Sequence, residues 1–106
     1  MKGVIKGVLA EELKNSLRMK KNYERALSRL PQGSLAKRVI KGHSYYYLVR
    51  RSGAKVIYDY LGKVSAARIK KYEHTKILRA KYRQLLSQVK KQIKFLRSTL
   101  RGKEAI

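Results

Sequence analysis

Apolar residues recur at helical spacing at both ends of this chain and at strand spacing between them. Leu9, Leu13 and Leu17 repeat every four residues, and Tyr23, Ala26, Leu27 and Leu30 continue the stripe after a drift. The pattern predicts an amphipathic helix over residues 8–30, with residues 1–7 frayed. Glu11 and Glu12 near its start suit the positive end of the helix dipole. The chain's only proline, in Leu30-Pro31-Gln32-Gly33-Ser34, restricts the residue before it and stops the helix.

Between residues 35 and 61 the period falls to two. Three runs rich in β-branched and aromatic residues are separated by Gly42-His43 and Ser52-Gly53, and such short glycine-containing loops favour hairpins. An antiparallel three-stranded meander is expected. Alternation puts Tyr45, Tyr47 and Val49 on one face of the middle strand and Tyr46, Leu48 and Arg50 on the other. Neither set is purely polar, so periodicity does not name the buried face. Tyr46 shares its face with Arg50 and Tyr47 shares its face with Val49, which assigns Tyr46 to the surface and Tyr47, with Tyr58, to the core.

From Ser65, a candidate N-cap, to Arg101 there is neither proline nor glycine, and a long helix is expected over residues 65–101. Leu78, Tyr82, Leu85, Val89, Ile93, Leu96 and Leu100 form its apolar seam, with Ile69 and Tyr72 as earlier members. At 1.5 Å per residue it would run about 55 Å, more than one shorter helix and a small sheet can cover. The distal seam therefore calls for a second chain, a coiled-coil partner or a break in the helix, and a homodimer through the C-terminal helix is the expectation. Together the elements give an α+β fold in one small basic domain, residues 1–106: helix, meander, long basic helix.

Charge then changes the picture. The chain holds 28 Lys and Arg against 6 Asp and Glu, a formal net charge of +22 on 106 residues. A compact chain with that excess repels itself unless polyanions offset it. The excess is no detachable tail, since basic residues outnumber acidic ones 8 to 3 in residues 1–34, 7 to 1 in 35–64 and 13 to 2 in 65–106. An apolar fraction of 43% argues against disorder. The absence of cysteine removes disulfide and thiolate-zinc scaffolds and suits a reducing cytoplasm. No charge-free apolar run reaches spanning length and no signal-peptide core is present, so no membrane partner is expected beyond adsorption by charge.

No catalytic constellation is legible. Glu11, Glu12, Glu24, Asp59, Glu73 and Glu104 are scattered, without the spacing of an acid/base dyad or a metal-dependent nuclease. His43 and His74 read as solvated, and the glycines match neither a phosphate-cradling loop nor a dinucleotide fingerprint. No enzyme activity, metal or cofactor is expected.

Binding has more support. Lys37, Arg38, Lys41, Arg50, Arg51 and Lys55 would give the ribbon cationic edges that hold phosphates without reading sequence, and Tyr46 would stack on a base or pack on sugar. Tyrosines that pair across strands and pack on the helices are the competing assignment. On the long helix, Arg68, Lys71, Arg79, Arg83, Lys90 and Lys94 are the candidate phosphate contacts. A merely solvated helix interleaves signs, whereas here like charges stand at spacing four.

Leu30-Pro31-Gln32-Gly33-Ser34-Leu35, then His43-Ser44-Tyr45-Tyr46-Tyr47-Leu48, Arg51, Gly53, Lys55-Val56 and Tyr60-Leu61-Gly62-Lys63, resemble a group of short uncharacterised prokaryotic proteins. Similar phrases stand near the start of some transposases. The resemblance covers roughly residues 27–95. It implies a helix, a β-hairpin or meander and a basic helix, in a phage or mobile-element setting, and carries no catalytic site. Many members of the group have cysteines in the first hairpin; this chain has Lys41-Gly42-His43 there.

The sequence thus points to a non-catalytic protein that binds DNA or RNA in the cytoplasm of a prokaryotic cell or phage-infected host. Its alternative is a small inhibitor or accessory protein that docks on a host nucleoprotein. A coiled-coil assembly protein with incidental charge is the third class.

Overall fold

A computed structural model describes residues 2–104. Helix α1 (Lys2–Arg29) is followed by strands β1 (Ser34–Ile40), β2 (His43–Ser52) and β3 (Lys55–Gly62) and by helix α2 (Ala66–Glu104). This is the α+β arrangement that the periodicities predict. Ser65 caps α2 as expected: its Oγ accepts from the Arg68 amide at 3.3 Å and its carbonyl from the Ile69 amide at 3.0 Å. Helix α1 begins earlier than expected, because Gly3 and Gly7 weaken a helix without breaking it. Residues 2–7 are therefore helical rather than frayed; Met1 lies outside the described residues.

The strands form one sheet in the order β1-β2-β3, both pairs antiparallel. Two-residue turns fix the register. In the first, Lys41 and Gly42 both have positive φ, 51° and 79°, the combination whose twist matches the flanking strands. A register shift between Tyr46 and Tyr47 marks a bulge in the pairing of β2 with β3. Ala36, Tyr47 and Tyr60 make one cross-strand row, and Val49 pairs with Ser34 on one side and Tyr58 on the other.

The chain divides into two compact units, and α2 contributes to both. The helical unit joins α1 to the part of α2 from Ala80 onward. Tyr23 meets Tyr82 with ring centroids 6.3 Å apart, and Lys20 borders a groove with Lys90 and Lys94, so the two helices run antiparallel. Val89, Ile93 and Leu96 are 3, 5 and 4% exposed and form its core. The middle of the distal seam, at Val89, Ile93 and Leu96, is thus covered within the chain, while Leu85 and Leu100 stay half-buried. Ser16 is fully buried in this unit, with no hydrogen-bond partner for its Oγ. It stands between Leu13 and Leu17 of the α1 stripe.

The second unit, Leu30–Arg79, holds the sheet and the first part of α2. Leu35 and Tyr46 line a groove with Ile69 and Tyr72, so the face carrying Tyr46 is turned toward α2. Tyr58 and Tyr60 are 65 and 62% exposed on the opposite face. The expected facing is reversed: Tyr58 is surface, Tyr47 lies on the open side, and Tyr46 sits half-buried against the helix. Each face carries tyrosines, so alternation gave no reason to prefer either side; the apolar turn of α2 at Ile69 and Tyr72 decides it.

Candidate nucleic-acid interface

Cations gather in both units, and in the sheet unit aromatic rings stand among them. On the sheet, the open face carries Arg38, Tyr45, Tyr47, Arg51, Tyr58 and Tyr60, and no carboxylate. The sheet's one acid, Asp59, belongs to the other face, where it accepts from Arg50 Nε at 2.8 Å. Arg50 thus has a carboxylate partner within the sheet, and the charged side chains of the open face, Arg38 and Arg51, are both cationic. The rings are held by one another and by arginine. Tyr47 and Tyr60 are tilted at 59° with centroids 5.3 Å apart, and the Arg38 guanidinium lies 6.0 Å from the Tyr47 ring centre. A depression of about 270 Å³ opens among Ala36, Lys37, Arg38, Tyr47 and Tyr58.

Of the other sheet candidates, Lys41 sits exposed in the first turn and Lys55 opens β3 beside the second. Lys37, on edge strand β1, borders both the open depression and the groove that faces α2. Tyr46 lines only the latter, so it is removed from the ring platform.

On the first part of α2, Arg68 lies 6.0 Å from the ring centre of Tyr72 and borders, with Lys71, a groove of about 490 Å³ that also includes Pro31, Ser65 and Thr75. Thr75 is buried and its hydroxyl donates to the Lys71 carbonyl at 2.9 Å. Arg79 has a structural task instead. Its guanidinium donates to the Pro31 carbonyl at 2.6 Å and reaches the Gly33 carbonyl at 3.4 Å, which ties the loop after α1 to α2. Gly33 has φ 91°, and a Cβ there would stand 2.9 Å from the Val49 carbonyl oxygen, so this loop accepts only glycine without a shift.

In the helical unit, Lys20, Lys90, Ile93, Lys94, Arg97 and Arg101 line a groove of about 310 Å³. Five of these six side chains are cationic, and the nearby Glu24 reaches Lys20 at 3.8 Å in a solvent-exposed pair. Lys90 and Lys94 were legible candidates; Lys20, Arg97 and Arg101 were not. The signal for two of them is in the sequence, because residues 90, 94, 97 and 101 follow four-three-four spacing along one helix face. Lys20 comes from another element and no local pattern marks it. Arg83 is exposed on α2, outside this groove. Among the described residues, no group of three or more His, Asp or Glu side chains could hold a metal ion.

Residues 9–71 match a family described as a domain of unknown function, DUF6788. The chain belongs to the DUF6788 family. No curated protein and no solved structure matches it. The DUF6788 segment takes in α1 from Leu9, the whole sheet and α2 as far as Lys71, so it contains the ring platform. Lys90, Lys94, Arg97 and Arg101 lie beyond it.

Proposed function

We propose that this protein binds nucleic acid without catalysis, through the phosphate backbone. The observation that carries the proposal is the groove of Lys20, Lys90, Lys94, Arg97 and Arg101, five cations gathered around one depression, where Lys20 also makes an exposed ion pair with Glu24. With a formal charge of +22, most cations have no carboxylate in the chain to pair with. Cations crowded on one helix face cost stability unless an external anion offsets them. A phosphodiester chain supplies such charge at regular intervals. The acid-free face of the sheet adds a second surface of the same sign. Among the described residues, no helix is long and apolar enough to cross a membrane. The setting that fits is the cytoplasm of a prokaryotic cell or phage-infected host, in a mobile-element context; the likeness of the Tyr45–Lys63 phrases to transposase segments supports it.

Affinity for a generic duplex, measured between about 50 and 200 mM salt, is expected to fall log-linearly. Replacing Lys90, Lys94 and Arg97 by Glu should weaken binding and reduce the slope by about 0.9 for each phosphate that is no longer neutralised. Binding that holds constant across that salt range would overturn the proposal and favour a protein-docking role on a host nucleoprotein.

A further inference from the structure

We infer that the open face of the sheet binds unpaired nucleotides, with Tyr58 and Tyr60 as base platforms and Arg51 and Arg38 as phosphate holders at either end. The inference rests on the nucleic-acid reading above and names the form of ligand that this face selects. Its basis is the order of side chains across the sheet. The Arg51–Val56 pair comes first, then Val49 with Tyr58, then Tyr47 with Tyr60, then Tyr45 with Arg38. Both tyrosine rows therefore lie between the two arginine rows.

Spacing argues for single strands. Alternate residues of a strand are about 6.8 Å apart, so Tyr58 and Tyr60 offer rings at roughly twice the 3.4 Å step between stacked bases of a duplex. Bases that meet these rings must be unstacked and have a free face, which a paired duplex does not present. The arginine rows are three such intervals apart, about 20 Å, the reach of a few nucleotides in extended form. The rings are also accessible. Tyr58 and Tyr60 are about two-thirds exposed, on a strand whose other face is turned toward α2, and Tyr60 is braced from one side by Tyr47. A braced ring loses little freedom when a base stacks on it. Charge selects the occupant: Arg38 and Arg51 flank the rings with no carboxylate on that face, whereas Asp59 is held on the opposite side by Arg50. An aromatic, acid-free surface fits a polyanion with flat rings.

The test compares binding of the full chain to oligonucleotides of about 12 nucleotides, as single-stranded DNA, single-stranded RNA and the matching duplex, at fixed salt. The single strands should bind more tightly than the duplex. Tyr58→Ala and Tyr60→Ala should each weaken single-strand binding by roughly tenfold or more, with melting and duplex binding little changed. Tyr58→Phe and Tyr60→Phe keep the ring and should retain affinity. The DNA and RNA arms report which sugar is preferred. Equal binding of single strands and duplex, unaltered in both Ala variants, would overturn the inference while leaving phosphate binding in place. No salt-sensitive binding to any of the three probes would overturn both, and a Tyr58-dependent complex with an acidic protein instead would assign the face to a protein.

Discussion

The helical unit and the sheet unit differ in what they bury, although Val4, Val8 and Phe95 of the helical unit are exposed too. In the first, Val89, Ile93 and Leu96 are closed off by α1, and even a serine hydroxyl, Ser16, is taken out of solvent. In the second, Ile40, Val56, Tyr58 and Tyr60 stand exposed on the face turned away from α2. A three-stranded sheet against one helix has one buried face, so whatever its other face carries is available for contact. Burial thus lies mainly in the helix pair, and the sheet displays the accessible chemistry.

The largest expected effect strikes the helical unit. Leu96→Ala should destabilise by about 2–5 kcal/mol, the range for deleting a buried leucine side chain and leaving a cavity, read by thermal or urea melting. A melt like that of the unaltered chain would show that α1 does not close the seam. High-salt sedimentation of the same variant would reveal whether any association depends on that residue.

A smaller effect sharpens the contrast between the two faces of the sheet. Tyr46→Ala, on the face turned to α2, should cost about 2 kcal/mol, less than a fully buried ring because Tyr46 is half-buried. Tyr58→Ala should stay within about 0.5 kcal/mol, as for surface substitutions generally. The reverse order of the two melts would put the core on the Tyr58 face.

The smallest effect is expected at Ser16. Its Oγ is buried without a partner, so Ser16→Ala should leave stability unchanged or raise it by about 1 kcal/mol. Ser16→Leu should lower stability by about 1–3 kcal/mol through overpacking. If Ser16→Ala destabilises instead, the hydroxyl has a bonding role that its surroundings do not reveal.

Much of this protein was written locally. The four-residue leucine spacing, the proline at residue 31, the Lys41-Gly42 turn and the Ser65 cap each act within a few residues of chain, and the element order follows from them. The Leu85 to Leu100 seam was equally plain, because helical periodicity needs no partner to be seen. Which element would cover that seam was not, since the apolar stripe of α1 drifts between Leu17 and Tyr23 and its first turns carry glycines. The same limit applies to the candidate interface. Arg38, Arg51, Lys90 and Lys94 were marked by charge alone, but the removal of Arg79 to loop carbonyls and of Arg50 to Asp59 depends on partners 46 to 48 and 9 residues away. The facing of the tyrosines belongs to the same class. A strand with aromatic residues on both sides is locally symmetric, and only the apolar turn of α2 that packs on one side breaks the symmetry, leaving Tyr58 and Tyr60 to solvent.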